Sequence, residues 1–140
     1  MNWYAAHIVM LVKFKRGAQR RFPAWENVVL IEAEDDEEAI AKAEAIGVAE
    51  CNSGDGTDRW GGRPFTWEFA GVRRVCLSAV MGDQPGNGDE VTYHELEFES
   101  LASARRYAHG RSVTVRHKDV IQAVGERERT EAARPKRKRA

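Results

Sequence analysis

Apolar residues recur along this chain with two different periods, and the switches between them predict the fold. Tyr4, Ala6, Ile8, Met10, Val12 and Phe14 form an unbroken alternating set. Trp3, Ala5, Val9 and Leu11 form a second set, interrupted by His7. Alternation puts one set on each face of a β-strand, and a strand apolar on both faces belongs inside a sheet. Lys15-Arg16-Gly17-Ala18-Gln19-Arg20-Arg21 is a polar turn containing glycine, which predicts a hairpin into Trp25 to Ala33 with Pro23 near the new strand's start. Val28 and Leu30 point one way and Val29 and Ile31 the other. This second strand is therefore also expected in the sheet interior rather than at its edge.

The period then changes. Ile40, Ala43 and Ile46 fall at spacing three, one face of a helix running to Gly47. Asp35 is placed to accept from the first free backbone amides, with Glu38 three residues on, as in a capping box. The acidic run Glu34 to Glu38 suits the positive end of the helix dipole. Gly47 suits the left-handed position after a last turn. Phe65, Trp67 and Phe69 restore the strand period, Gly71 marks a bulge, and Val72 to Val80 continues the extended pattern. The same period predicts that Trp67 is largely buried. A turn-rich loop from Gly82 to Asp89 leads to an alternating stretch, Glu90 to Glu99, read as the partner strand of a second hairpin. Ser100 can cap a short helix, Leu101 to His109, ended by Gly110, and Ser112 to Val115 reads as a short strand. The fold class is α+β: an antiparallel sheet of four to five strands with one main helix on one face, in the order β-β-α-β-β, then a short helix and strand.

Charge changes this picture at one end only. The 140 residues carry a formal net charge of +0, yet residues 126–140 hold seven basic and three acidic residues, net +4. The preceding 125 hold 15 basic and 19 acidic, net −4. The expected organisation is a single α+β domain over residues 1–125 followed by a basic tail, 126–140, disordered when free. The longest apolar run, Ile8 to Val12, is too short to cross a bilayer, and no basic region precedes an apolar stretch at Met1-Asn2-Trp3-Tyr4. Cys51 and Cys76 stand apart without CxxC spacing, as reduced thiols in a cytoplasmic protein would.

Chemical motifs are sparse. His7 has no visible sequence partner and reads as a satisfied, partly buried histidine. His7, His94, His109, His117 and the cysteines lack ligand spacing, so neither a metal nor another cofactor is expected. The Gly-rich stretch Ser53 to Pro64 has no P-loop or EF-hand pattern and reads as a connection, with Trp60 a stacking surface if exposed. A hydrolase or nuclease built on Asp55, Asp58 and His94 is the weakest reading, and the residues favour a non-catalytic role.

Trp3-Tyr4-x-Ala6, Leu30-Ile31-Glu32-Ala33, Glu37-Glu38-Ala39-x-x-Lys42-Ala43 and Trp67-x-Phe69-x-Gly71-Val72 occur in that order. In this the chain resembles a small bacterial family of domains of unknown function, over roughly residues 2 to 98 and less closely to 117. The resemblance implies a compact α+β domain and implies no activity. The Gly-rich loop and the tail depart from it.

The function expected first is a non-catalytic binding module for a protein partner, with the tail adding electrostatic contacts. The alternative is a nucleic-acid-associated protein. It would hold phosphates through Arg134, Lys136, Arg137, Lys138 and Arg139 of the tail and Lys15, Arg16, Arg20 and Arg21 of the turn. The two readings separate in space: if the turn and the root of the tail lie on one face, the nucleic-acid reading gains.

Overall fold

The structure, a computed structural model, describes residues 1–80 and 82–118. Its elements are β1 (Asn2–Phe14), β2 (Ala24–Ala33), α1 (Asp36–Cys51), β3 (Arg59–Trp60), β4 (Arg63–Leu77), β5 (Leu96–Glu97), α2 (Leu101–Ala108) and β6 (Arg116–His117). The first four strands form an antiparallel sheet in the order β2-β1-β4-β3, while β5 and β6 pair separately. The molecule is thus α+β, with a four-stranded sheet and α1 on one face, as the apolar periods predict. The tail expected over 126–140 lies outside the described residues.

Strand β1 is central, flanked by β2 and β4 along its length. On one face Tyr4, Ala6, Ile8 and Met10 meet Ile31, Ala33 and Val75 and the helix residues Ala39, Ile40 and Ala43 in a single core. On the other face Ala5 and His7 are buried as completely. The chain that leaves β4 covers them: Ser78 N–H donates to the Trp3 carbonyl at 2.9 Å, Ala79 bridges Glu90, and Thr92 reaches His7. The β1–β4 register slips between His7 and Ile8 and again between Val9 and Met10, where Gly71 takes φ 154°. These are the bulge that Gly71 announced and a second beside it.

The start of α1 follows its sequence. Glu38 N–H donates to Asp35 Oδ1 at 2.8 Å, and Glu38 Oε2 accepts from Glu34 N–H at 2.7 Å, closing a capping box one residue wider than usual. Lys42 then ties the helix to β2, donating to the Glu32 carbonyl at 2.7 Å and pairing with Glu38 at 2.8 Å.

Four expectations need correction. Strand β2 lies at the sheet edge, because the chain turns from it straight into α1 and no later strand among the described residues returns to its outer side. Helix α1 continues through Gly47 to Cys51. Gly47 is buried mid-helix because it faces the Phe69 ring, and the helix stops where the Cys51 sulfur accepts from Phe69 N–H at 3.0 Å on β4. The fourth strand of the sheet is β3, from the Gly-rich loop, and not Glu90 to Glu99. That segment crosses the sheet face over His7, since covering a buried face takes precedence over extending the sheet sideways; apart from the single Ala79–Glu90 bridge, its paired strand is Leu96–Glu97, with β6. The last short strand is accordingly Arg116–His117 and not Ser112 to Val115.

Gly47 gives a test of this packing. A β-carbon there would lie 2.6 Å from Cε2 of Phe69 and nearer still to Cδ2. Helix propensity alone would make Gly47→Ala stabilising by about 1 kcal/mol. Overpacking costs about 1–3 kcal/mol and should prevail. Gly47→Ala is therefore expected to lower the urea midpoint, and Phe69→Leu in the same chain to recover part of the loss. A higher midpoint for Gly47→Ala alone would show that the ring moves freely aside.

Candidate functional site

Two clusters of side chains stand out, on different parts of the sheet. The first surrounds His7. Its Nδ1 lies 3.4 Å from Glu26 Oε2 on β2, and its Nε2 lies 3.0 Å from Thr92 Oγ1. Arg74 Nη2 donates to Thr92 Oγ1 at 3.3 Å and to the Tyr93 carbonyl. Arg73 Nε stands 3.6 Å from Glu26 Oε1. The proton positions follow from donor chemistry. A carboxylate only accepts, so Nδ1–H donates to Glu26; Nε2 then accepts from the Thr92 hydroxyl, whose oxygen accepts from Arg74. The hydrogen bonds thus run in one direction, Arg74 to Thr92 to His7 to Glu26. Cys76 adjoins them, its thiol 3.7 Å from the Ala5 carbonyl and 3.5 Å from Thr92 Oγ1. His94 meets the His7 ring edge-on at 5.5 Å, and His117 meets His94 at 5.7 Å. Nitrogen atoms of His7 and His94 and a carboxylate oxygen of Glu26 lie within 4.8 Å of one another.

Burial, with the Arg74 charge next, holds the His7 imidazole below its ordinary 6.5, against an upward pull from Glu26. His7 is therefore the satisfied buried histidine the sequence implies. Thr92, His7 and Glu26 stand in the order nucleophile, base, orienter. These hydrogen bonds also hold the segment after β4 on the sheet, and His7 itself is 0% exposed.

The second cluster occupies the end of the helix-side face that α1 does not reach. Trp25 of β2, Trp60 of β3 and Phe65 and Trp67 of β4 pack ring to ring with centroids 4.9–6.2 Å apart. Phe65 is buried, but Trp67 is half-buried, short of the burial its period suggests: it packs at the margin of the core and against the rings of Trp25, Trp60 and Phe65. Trp25 is 52% exposed and Phe22 53%. The Lys15–Arg21 turn joins the Gly-rich loop here. Lys15 Nζ donates to the Gly56 carbonyl at 2.8 Å, and Arg63 donates to the Arg16 carbonyl at 2.9 Å while stacking on Phe14 at 3.7 Å. Residues 15–21 and 53–64 contain Lys15, Arg16, Arg20, Arg21, Arg59 and Arg63 against Asp55 and Asp58, net +4. The other described residues hold nine basic and 16 acidic, net −7.

The structure thus puts the turn that carries Lys15, Arg16, Arg20 and Arg21 at the same end of the sheet as the exposed Trp25, while Arg134, Lys136, Arg137, Lys138 and Arg139 lie outside the described residues. It does not bring Asp55 and Asp58 to His94. Asp55 accepts from the Thr57 hydroxyl at 2.6 Å and the Thr57 amide at 3.0 Å, which holds its carboxyl below the usual range, whereas His94 belongs to the His7 cluster. Sequence reading missed Glu26, Arg74 and Thr92. The one signal was His7 itself, a polar break in an apolar face.

A family model described as "Domain of unknown function (DUF4288)" matches residues 3–92. That span holds the sheet, α1 and the His7 contacts as far as Thr92, and stops short of His94 and the β5–α2–β6 unit. No curated protein and no solved structure matches.

The lowered His7 pKa predicts acid sensitivity. As pH falls below 6.5 the unfolded chain takes up a proton that folded His7 refuses. Stability present above 6.5 is then lost, by at most about 1.4 kcal/mol per pH unit. Urea denaturation on both sides of that pH, with a chelator present, should show a loss in the wild type that shrinks in His7→Gln. Equal acid sensitivity of the two proteins would assign the effect to other groups.

Proposed function

The chain belongs to the family of domains described as of unknown function (DUF4288), and we propose that it is a non-catalytic binding domain for a protein partner. It takes an acidic, extended segment of that partner at the Trp25 end of its sheet. The observation that carries this reading is the exposed indole of Trp25 on an edge strand, backed by two further indoles, at the end of the sheet where the basic turn meets the Gly-rich loop. Tryptophan and arginine dominate the energetic centres of protein interfaces. Strand β2 has only β1 as a strand partner among the described residues, so its outer edge can accept an added strand, whose backbone supplies affinity and whose side chains meet Trp25 and Phe22. Charge complementarity selects an acidic segment, since this end is net +4 on a body that is net −7. The basic residues of 126–140 add electrostatic contacts to the same partner.

Nucleic acid would use the same cations. Base stacking, however, calls for successive free ring faces. Here Trp60 meets Trp25, Phe65 and Trp67 edge-on, which favours one compact hot spot.

A photo-crosslinker at position 22, in chain incubated with lysate of the native host, tests the proposal. An acidic protein segment is expected in the adduct, surviving nuclease treatment. Trp25→Ala should weaken capture about 30-fold, as loss of a hot spot of about 2 kcal/mol does, and Arg20→Glu with Arg21→Glu should weaken it as well. Adducts that disappear with nuclease would replace the reading by the nucleic-acid one. Capture indifferent to all these substitutions would move the interface elsewhere.

A further inference from the structure

The His7 cluster contains more than a fastening. We propose that His7, Glu26 and His94 form a binding site for a divalent transition metal of zinc type, which clamps the segment after β4 to the sheet. Two imidazoles and one carboxylate suit such an ion. They come from three places in the chain: β1, β2 and the segment that crosses the sheet face.

The geometry is half set already. Bonds of about 2.0 Å at a tetrahedral centre place ligand atoms about 3.3 Å apart. His7 Nδ1 and Glu26 Oε2 lie 3.4 Å apart. His94 is exposed and stands within 4.8 Å, so a side-chain movement of about 1.5 Å completes the set. His117, edge-on to His94, is placed to approach a fourth position. The outer contacts are those a metal site uses to orient its ligands. Arg73 holds Glu26 by Oε1, which leaves Oε2 toward His7. Thr92 holds the far nitrogen of His7.

Proton accounting also closes. The metal takes the place of the proton between Nδ1 and Glu26. That proton transfers to Nε2, which now donates to Thr92 Oγ1, so His7 stays neutral. The Thr92 hydroxyl turns its hydrogen toward the Cys76 sulfur, 3.5 Å away, and still accepts from Arg74. Binding thus exchanges one tautomer for the other and strands no donor. Arg74 opposes the added charge, which sets the site below closed zinc centres in affinity. The family match ends at Thr92, so the site, with His94 as a ligand, is inferred for this chain.

Calorimetric titration of the full chain with zinc chloride is the test, with His109, which caps α2, as the control position. One ion per chain is expected, with a rise in melting temperature on binding. His94→Ala and Glu26→Gln should each lower affinity at least tenfold and remove the melting shift, while His109→Ala binds as wild type. Cobalt in place of zinc should give ligand-field bands without thiolate charge transfer, which reads the ligand set in the unmodified protein. No binding to wild type would overturn the proposal. So would wild-type affinity in either His94→Ala or Glu26→Gln, or a thiolate band with cobalt.

Discussion

Strand β1 is apolar on both faces, and β2, β4, α1 and the segment after β4 serve to cover it. An isolated strand of this kind would leave two rows of apolar side chains in water, at about 25 cal/mol for every Å² exposed. Flanking by β2 and β4 pairs its backbone but leaves both faces open. One face takes α1, which presents Ala39, Ala43 and Gly47 and so comes close enough for the Phe69 ring to rest where a side chain would otherwise stand. The other face takes an irregular segment, residues 78–80 and 82–95, which has little regular structure to hold it in place.

That second cover explains the polar chain around His7. An extended segment lying across a sheet face needs specific attachments. Here they are the Ser78 bond to Trp3, the Ala79–Glu90 bridge and the Thr92–His7–Glu26 contacts. Burying a polar ring is costly unless both nitrogens are satisfied, and both are. The result is one group of residues that joins the edge strand β2, the central strand and the covering segment. The proposed metal would strengthen the same attachment.

The helix covers only part of its face, and the remainder has a different solution. Beyond Met10 the sheet is roofed by indoles and a phenylalanine rather than by an element of secondary structure. Flat rings close Val12 and Phe65 from water but leave Trp25 itself half in solvent. The turn and the Gly-rich loop are fastened together at this end by Lys15 and Arg63, so the basic turn lies at the same end of the sheet as the exposed ring. Core formation and surface recognition thus use the same residues there.

The sequence by itself determined the elements whose cause is local. The double alternation of β1, the Asp35–Glu38 cap and the Ser100 cap are each written within a few consecutive residues, and the structure carries them as read. The bulge at Gly71 is of the same kind. Tertiary structure decided whatever depends on contacts between distant residues. Gly47 reads locally as a helix stop, yet it is a packing position because Phe69, 22 residues on, lies against it. Strand β2 reads as interior from its own composition, yet its place is fixed by where the chain goes next. Glu90 to Glu99 has a strand's alternation but serves as a cover, because the open face of β1 had to be closed. The partners of His7 are 19 and 85 residues away, a separation that no short-range pattern records.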